Sequence, residues 1–251
     1  MPCCNLASGN QRKMATRKLI EYSDPSGTVY EGVAFSTSSD SAKPLVVIFP
    51  AFRGITHFEE SQAEKLANLG YIAFCADIYG KGVRPTTFPD ARATMTPLVS
   101  NRTVALKERL FASLETAKKL PGVDVSKVAA TGYCLGGLCA LDLARFNSGI
   151  LAAVSYHGTL TPLPDTPLEH ITATIQVHHG DADSHINTQV EGFYKEFRER
   201  KADFTFTAYA DAKHSFTEPE ADSFNSPGVG YNKKAAERSW AATIALFKEI
   251  F

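Results

Sequence analysis

The stretch Thr131-Gly132-Tyr133-Cys134-Leu135-Gly136-Gly137 constrains this chain more than any other. The residues before it, Ser126-Lys127-Val128-Ala129-Ala130, form a short apolar run of strand type, and residues 138–146 read as a helix that is apolar on nearly every side. A nucleophilic side chain set between glycines where a strand passes into a helix has to sit on a sharp turn with positive φ, and only small neighbours avoid clashes there. The helix that starts just behind it aims backbone N–H groups at the nucleophile, which favours a thiolate and later an oxyanion. Most turns of this kind carry serine; this one carries Cys134. A buried cysteine in a glycine-rich turn is the competing reading, and the residues that lie farther along the chain decide between the two.

The order of elements points to an α/β architecture. Two strands, 17–22 and 28–35, flank the turn Asp24-Pro25-Ser26-Gly27, and 36–44 is a polar loop. Leu45-Val46-Val47-Ile48-Phe49 is continuously apolar, as a central strand buried on both faces requires. Thr56 and Glu59 make a capping box for a helix that Gly70 stops. The strand 71–76 exits through Asp77-Ile78-Tyr79-Gly80-Lys81-Gly82, and 83–100 reads as a long loop over the sheet. A helix over 103–120 leads to the cysteine strand. Strands at 151–156, 174–178 and 204–209 follow, with helices at 188–200 and 233–251. This alternation predicts a mostly parallel sheet covered on both faces, with ligands bound beyond the carboxyl ends of the strands. Residues 17–251 read as one domain, and 1–16 as a disordered or extra N-terminal segment in which Met14 is a candidate alternative start.

A cysteine nucleophile needs a base, and the base needs an acid to orient it. Gly180-Asp181-Ala182-Asp183 follows an apolar strand, and Asp211-Ala212-Lys213-His214-Ser215-Phe216 places a histidine just after the last one. Nucleophile, acid, histidine is the chain order of the α/β-hydrolase triad. The reading assigns Cys134 as nucleophile, His214 as base and Asp183 as the acid, with Asp181 as the competitor for that role. The oxyanion hole combines the N–H of Leu135 with that of Phe52 from the loop after Phe49.

Gly132-Tyr133-Cys134-Leu135-Gly136-Gly137 together with His214-Ser215-Phe216 resembles the dienelactone hydrolase family. The likeness runs from Leu45 to the C-terminus and takes in Asp77-Ile78-Tyr79-Gly80 and Gly230-Tyr231-Asn232. The resemblance implies an α/β-hydrolase fold and a cytoplasmic hydrolase of lactones or activated esters, with no cofactor or metal, working through a thioester. It also implies a triad at Cys134, Asp183 and His214. Family members that open dienelactone carry a glutamate where this chain has Ala51. Of the arginines that hold the substrate carboxylate in those members, one falls near Lys81 and another is replaced by Glu218. An acid where a clamping cation is expected points to neutral rather than anionic esters. A rim of Phe52, Tyr79, Phe88, Tyr133, His157 and Phe216 is a candidate seat for an aromatic leaving group, unless these residues pack the core. An oxyanion hole also accepts a phosphoryl oxygen, so neutral aryl phosphotriesters join the candidate substrates.

Other function classes were weighed against this one. His178, His179, Asp181, Asp183 and His185 resemble a metal-ligand cluster, although neighbours on a strand face opposite ways. A non-catalytic ligand-binding or redox-sensing module is the third reading, since an elbow thiol oxidises readily. A formal net charge of −1 gives no electrostatic case for nucleic acid or an anionic membrane. No apolar run reaches the ~20 residues a membrane span needs. Five cysteines cannot all pair within the chain, and a core of this size needs no staples, which suits a reducing cytoplasm. The partner is then a small-molecule ester or lactone, and the enzyme a monomer or homodimer.

Overall fold

The computed structural model describes residues 14–38, 41–164 and 169–251. The expected N-terminal segment therefore lies outside the described residues up to position 13, as do two positions of the 36–44 loop.

Eight strands form one sheet: β1 (Thr16–Ser23), β2 (Val29–Ser36), β3 (Lys43–Phe49), β4 (Ile72–Cys75), β5 (Val123–Tyr133), β6 (Ala152–Tyr156), β7 (Thr174–Gly180) and β8 (Phe204–Tyr209). Their spatial order is β1-β2-β4-β3-β5-β6-β7-β8. The hairpin β1–β2 and the pair β2–β4 are antiparallel, and every other pairing is parallel. Among the described residues six α-helices cover the sheet: α1 (His57–Asn68), α2 (Phe88–Val99), α3 (Lys107–Lys118), α4 (Leu135–Arg145), α5 (Val190–Glu199) and α6 (Lys233–Ile250). This is the α/β-hydrolase architecture expected from the alternation of elements.

The strand alternation sorts the core into two layers. Leu45, Val47 and Phe49 of β3 face α3, α4 and α5, while Val46 and Ile48 face α1 and α6. A strand buried on both faces has no room for polar positions, which is why its sequence is unbroken apolar. Chain order reverses between β3 and β5. The first goes left to β4 and the second right to β6, so their exit loops part and leave a crevice.

Two segments depart from expectation. The stretch 83–100 is not a loop throughout: Phe88–Val99 is helical, capped by Thr87, whose hydroxyl accepts from the Asp90 N–H at 3.3 Å, with Pro89 in its first turn. Ala91, Met95, Leu98 and Val99 stand at i, i+4, i+7 and i+8, a short apolar stripe that packs on the core, but Pro89 and Pro97 read in sequence as helix breakers. The helix expected over 103–120 opens instead with a π-helical turn, Arg102–Leu106, ahead of α3.

Candidate active site

β5 ends at Tyr133 and α4 begins at Leu135, so Cys134 is the single residue of the turn, at φ 53° and ψ −112°. Such a conformation is strained for any side chain and persists only where the surroundings enforce it. They do so through backbone contact. A Cβ built on Gly132 would stand 2.0 Å from the Gly136 carbonyl oxygen, and one on Gly136 would stand 2.0 Å from that of Phe49. The Cys134 N–H is meanwhile tied to the Tyr156 carbonyl at 3.0 Å.

The ends of β7 and β8 deliver the partners. His214 stands in the loop after β8, and residues 228–230 run beside it: its N–H donates to Gly228 and its carbonyl accepts from Gly230. Its Nε2 lies 3.1 Å from the Cys134 sulfur, and its Nδ1 lies 2.7 Å from Asp183 Oδ2. Asp183 is fully buried after β7, and its other oxygen accepts from the His185 N–H at 3.1 Å. Asp181 is exposed, its carbonyl taken by the Asn187 amide. Burial works against a charged His214 ring, but the adjacent sulfur and carboxylate outweigh it and hold the group well above the ordinary histidine range.

The loop between β3 and α1 closes the site from the other side. Glu59, almost fully buried, takes the Ala51 N–H at 3.2 Å, the Thr56 N–H at 2.8 Å and the Thr56 hydroxyl at 2.6 Å. The capping box of α1 thus also holds the loop. Tyr79 donates its hydroxyl to the Phe52 carbonyl at 2.7 Å. Among the described residues no acceptor takes the N–H of Phe52 or of Leu135. Two unspent donors near a nucleophile can serve a developing oxyanion.

A cavity of about 670 Å³ opens beside Cys134 and His214. Ala51, Phe52, Phe88, Leu135 and Glu218 line it, as the sequence suggested. Tyr133, His157, Phe216, Tyr79 and Lys81 do not, and each departs for its own reason. Tyr133 points to the opposite layer, stacked on Tyr156 at 4.9 Å, because residues alternate along β5. His157 is buried behind the base, edge-on to His214 at 5.3 Å, with its Nε2 2.8 Å from the Thr217 hydroxyl. Phe216 is buried against His157 and Tyr209. Tyr79 reaches the site only through the Phe52 carbonyl, and Lys81 turns outward to pair with Glu21 and Glu31.

Sequence reasoning missed Arg53, Arg92 and Phe224, which line the same cavity. Arg92 is on the exposed side of α2 and Phe224 in a four-residue turn too short to show a period, whereas Arg53 sits next to the predicted hole and was within reach. Glu218 is 4% exposed and lies 3.7 Å from Arg53. Burial, reinforced by the Glu59 carboxylate, pushes its carboxyl up to about 7, against the pull of Arg53 and His214.

The histidines of the supposed metal cluster part ways. His178 bonds Gln176, Thr243 and Tyr209, whereas His179 bonds Asn187 on the other face. Among the described residues no three His, Cys, Asp or Glu side chains are grouped to hold a metal ion.

An eight-stranded, mostly parallel sheet with a strained cysteine between its central strand and helix defines a hydrolase of the α/β-hydrolase fold. The chain belongs to the dienelactone hydrolase family, whose model matches residues 31–251, and is a hydrolase of the ester and lactone type. It is 48% identical over 157 residues to an uncharacterized protein of Caenorhabditis elegans, covering 61% of this chain and 99% of that one. A putative carboxymethylenebutenolidase of Escherichia coli is 26% identical over 84% of this chain and 79% of its own length. Among solved structures, a dienelactone hydrolase-like promiscuous phosphotriesterase from metagenomic libraries, P91, superposes with a TM-score of 0.91 at 32% identity. The match covers 95% of this chain and 99% of that one.

Proposed function

We propose that this chain hydrolyses neutral activated esters and lactones, aryl esters foremost, through a Cys134–His214–Asp183 triad and a thioester intermediate. The observation that carries the reading is the relay of short contacts from sulfur to imidazole to buried carboxylate, 3.1 Å and 2.7 Å, at the wall of a cavity.

His214 takes the thiol proton as Sγ attacks the carbonyl carbon, and Asp183 fixes the tautomer and stabilises the imidazolium. The carbonyl oxygen, now negative, receives the N–H groups of Phe52 and Leu135. As the tetrahedral centre collapses, the bond to the leaving oxygen breaks and His214 returns the proton to it. Water, deprotonated by the same ring, then attacks the thioester, expels the thiolate and releases the acid. The raised affinity of His214 for its proton suits a ring that takes the proton from sulfur.

Glu218 stands where dienelactone-cleaving members carry a cation, and its charge faces Arg53 across the wall. A wall with its charge balanced internally suits a neutral substrate. The same hole can take a phosphoryl oxygen while sulfur displaces an aryloxide from phosphorus, and likeness to a promiscuous phosphotriesterase supports neutral aryl phosphotriesters as a second substrate class. Three unpaired cysteines among the described residues suit work in a reducing cytoplasm, and among those residues no helix is long and apolar enough to cross a membrane.

The test sets 4-nitrophenyl acetate beside diethyl 4-nitrophenyl phosphate, on wild type and on Cys134→Ala. Wild type turns over the acetate and gains the mass of one acetyl group when quenched early. The variant loses both activities, and equal turnover of both substrates by the variant overturns the assignment of the nucleophile.

A further inference from the structure

One wall of the cavity is a run of aromatic rings that ends in a charge. Phe52 lies 5.6 Å from Phe88, and Phe88 meets Phe224 edge-on at 5.4 Å. The Arg53 guanidinium sits over the Phe224 ring at 4.7 Å. Its carboxylate neighbour, Glu218, is 3.7 Å away, close enough to pair and too far to hydrogen-bond well. Among the described residues no acceptor hydrogen-bonds this guanidinium. A guanidinium has five donors in a planar fork, and these are turned on a cavity and left uncommitted.

We propose that Arg53 and Glu218 select substrate by charge: with Glu218 ionised the guanidinium is neutralised and the cavity takes uncharged aryl esters, and with Glu218 protonated it binds a carboxylate on the aryl group. The proposal deepens the reading of the cavity as an ester-hydrolase pocket and rests on it.

The surroundings of Glu218 make it able to change state. Arg53 faces it from the loop after β3, Glu59 from α1, Tyr133 from β5 and His214 from its own loop. Glu59 is already committed to Ala51 and Thr56, so it offers Glu218 repulsion rather than a hydrogen bond. A carboxyl that is 4% exposed, with a second carboxyl behind it and one long ion pair, titrates near neutrality instead of in the acid range. Arg92 also lines the cavity and adds positive charge, and among the lining residues Glu218 is the acid that offsets it. The aromatic run fixes where the ligand's ring lies, and the fork of Arg53 at its end fits a planar carboxylate.

A pair of near-isosteric esters reads this out: 4-acetoxybenzoate, ionised throughout, and uncharged 4-acetoxybenzamide. Both transfer the same acetyl group to the same sulfur, so the pH dependence of the triad cancels in the ratio of their kcat/KM values. In wild type the benzoate-to-benzamide ratio is expected to rise about tenfold, about 1.4 kcal/mol, as pH falls from about 8.5 to about 6. Glu218→Gln holds the ratio high at every pH, and Arg53→Met, which keeps the stem over Phe224, holds it low. A wild-type ratio independent of pH, or a high ratio surviving in Arg53→Met, overturns the proposal. If neither ester is turned over by folded wild type, the ester-hydrolase reading fails by itself. The pair is then judged from 4-hydroxybenzoate binding to Cys134→Ala by calorimetry: tighter binding at about pH 6 than at about 8.5 supports it, and equal binding overturns it.

Discussion

The Tyr79 hydroxyl donates to the Phe52 carbonyl at 2.7 Å, bridging the exit loop of β4 to the loop that carries the proposed oxyanion donor. Asp77 holds the Tyr79 end by accepting the N–H groups of Tyr79 and Gly80 at 3.0 and 3.2 Å. The Ala51 carbonyl, on the peptide that carries the Phe52 N–H, accepts from Gly54 at 2.9 Å, and the Tyr79 bond holds the peptide that follows, so a donor restrained on both sides has little reorienting to do when charge develops. Tyr79→Phe removes one hydroxyl and leaves the ring in place. One neutral hydrogen bond is worth about 1 kcal/mol, so kcat toward 4-nitrophenyl acetate is expected to fall about fivefold with KM little changed. A drop in melting temperature with kcat intact would show the bridge to be structural only.

Gly136 and Gly192 invite the same substitution with opposite results. A Cβ on Gly136 would meet the Phe49 carbonyl oxygen at 2.0 Å and that of Pro50 at 2.8 Å, both backbone atoms that have no rotamer to yield. Gly136→Ala is expected to destabilise by about 3 kcal/mol or more and to displace the start of the loop after β3. Gly192, on α5, has nothing within 4 Å of the built position. Gly192→Ala gains helix propensity and is expected to stabilise by about 0.5–1 kcal/mol. Urea unfolding of the two variants beside wild type measures both shifts.

The residues that were legible in sequence are those whose role is imposed by backbone. The glycines around Cys134, the unbroken apolar β3 and the capping box of Thr56 and Glu59 each leave a local pattern, and each stands where that pattern put it. The pairing of Asp183 with His214 across 31 residues could be inferred only because both follow strand ends, and the choice against Asp181 needed coordinates. Side-chain direction was the part that stayed hidden. Tyr133 and Cys134 are adjacent, yet the strand's alternation sends the tyrosine to the far layer. Lys81 keeps its place in the exit loop but points to Glu21, a partner on a different hairpin that no motif announces. Helix α2 carries a short apolar period, Ala91, Met95, Leu98 and Val99, which packs on the core, but Pro89 and Pro97 obscure it, since proline is tolerated in a first turn and costly inside a helix.

Asp142, on the elbow helix, accepts from Arg102 at 2.6 Å and from Arg145 at 3.0 Å, and all three side chains are buried. Arg145 continues to Glu196 on α5 at 2.8 Å, and Arg200 approaches the same carboxylate. Arg102 spends its remaining donors on Thr161 and Pro162 carbonyls. The network joins α4 to α5 and to the loop after β6. Replacing a buried ion cluster by apolar residues can be neutral, but removing one member strands the others. Asp142→Ala leaves two buried guanidinium groups without their shared acceptor. It is expected to cost about 3–5 kcal/mol in urea unfolding, with the loss unrelieved by raising salt because the charges are buried.

Stability should fall as pH rises through neutrality, and Glu218 and His214 set the window. Burial raises the Glu218 carboxyl from its ordinary value to about 7 in the folded chain. Between about pH 4.5 and 7 the folded state therefore holds a proton that the unfolded chain has lost, and stability declines across that interval. His214, held well above the usual histidine value, keeps its contribution below about pH 6.5 and loses it as pH rises through its folded value. His178, lowered by burial to about 3, and His157, lowered by burial and by His214, act with the opposite sign and penalise the acid side. Glu218→Gln isolates one component. Its stability relative to wild type is expected to grow from about pH 5 to about pH 7 and then level off, since above that point both chains' pH dependence is common. Urea midpoints taken across this range measure the difference. A difference that stays constant from about pH 5 to about pH 8 would mean that Glu218 ionises in the folded chain as it does in the unfolded one, and that Arg53 faces a permanent anion.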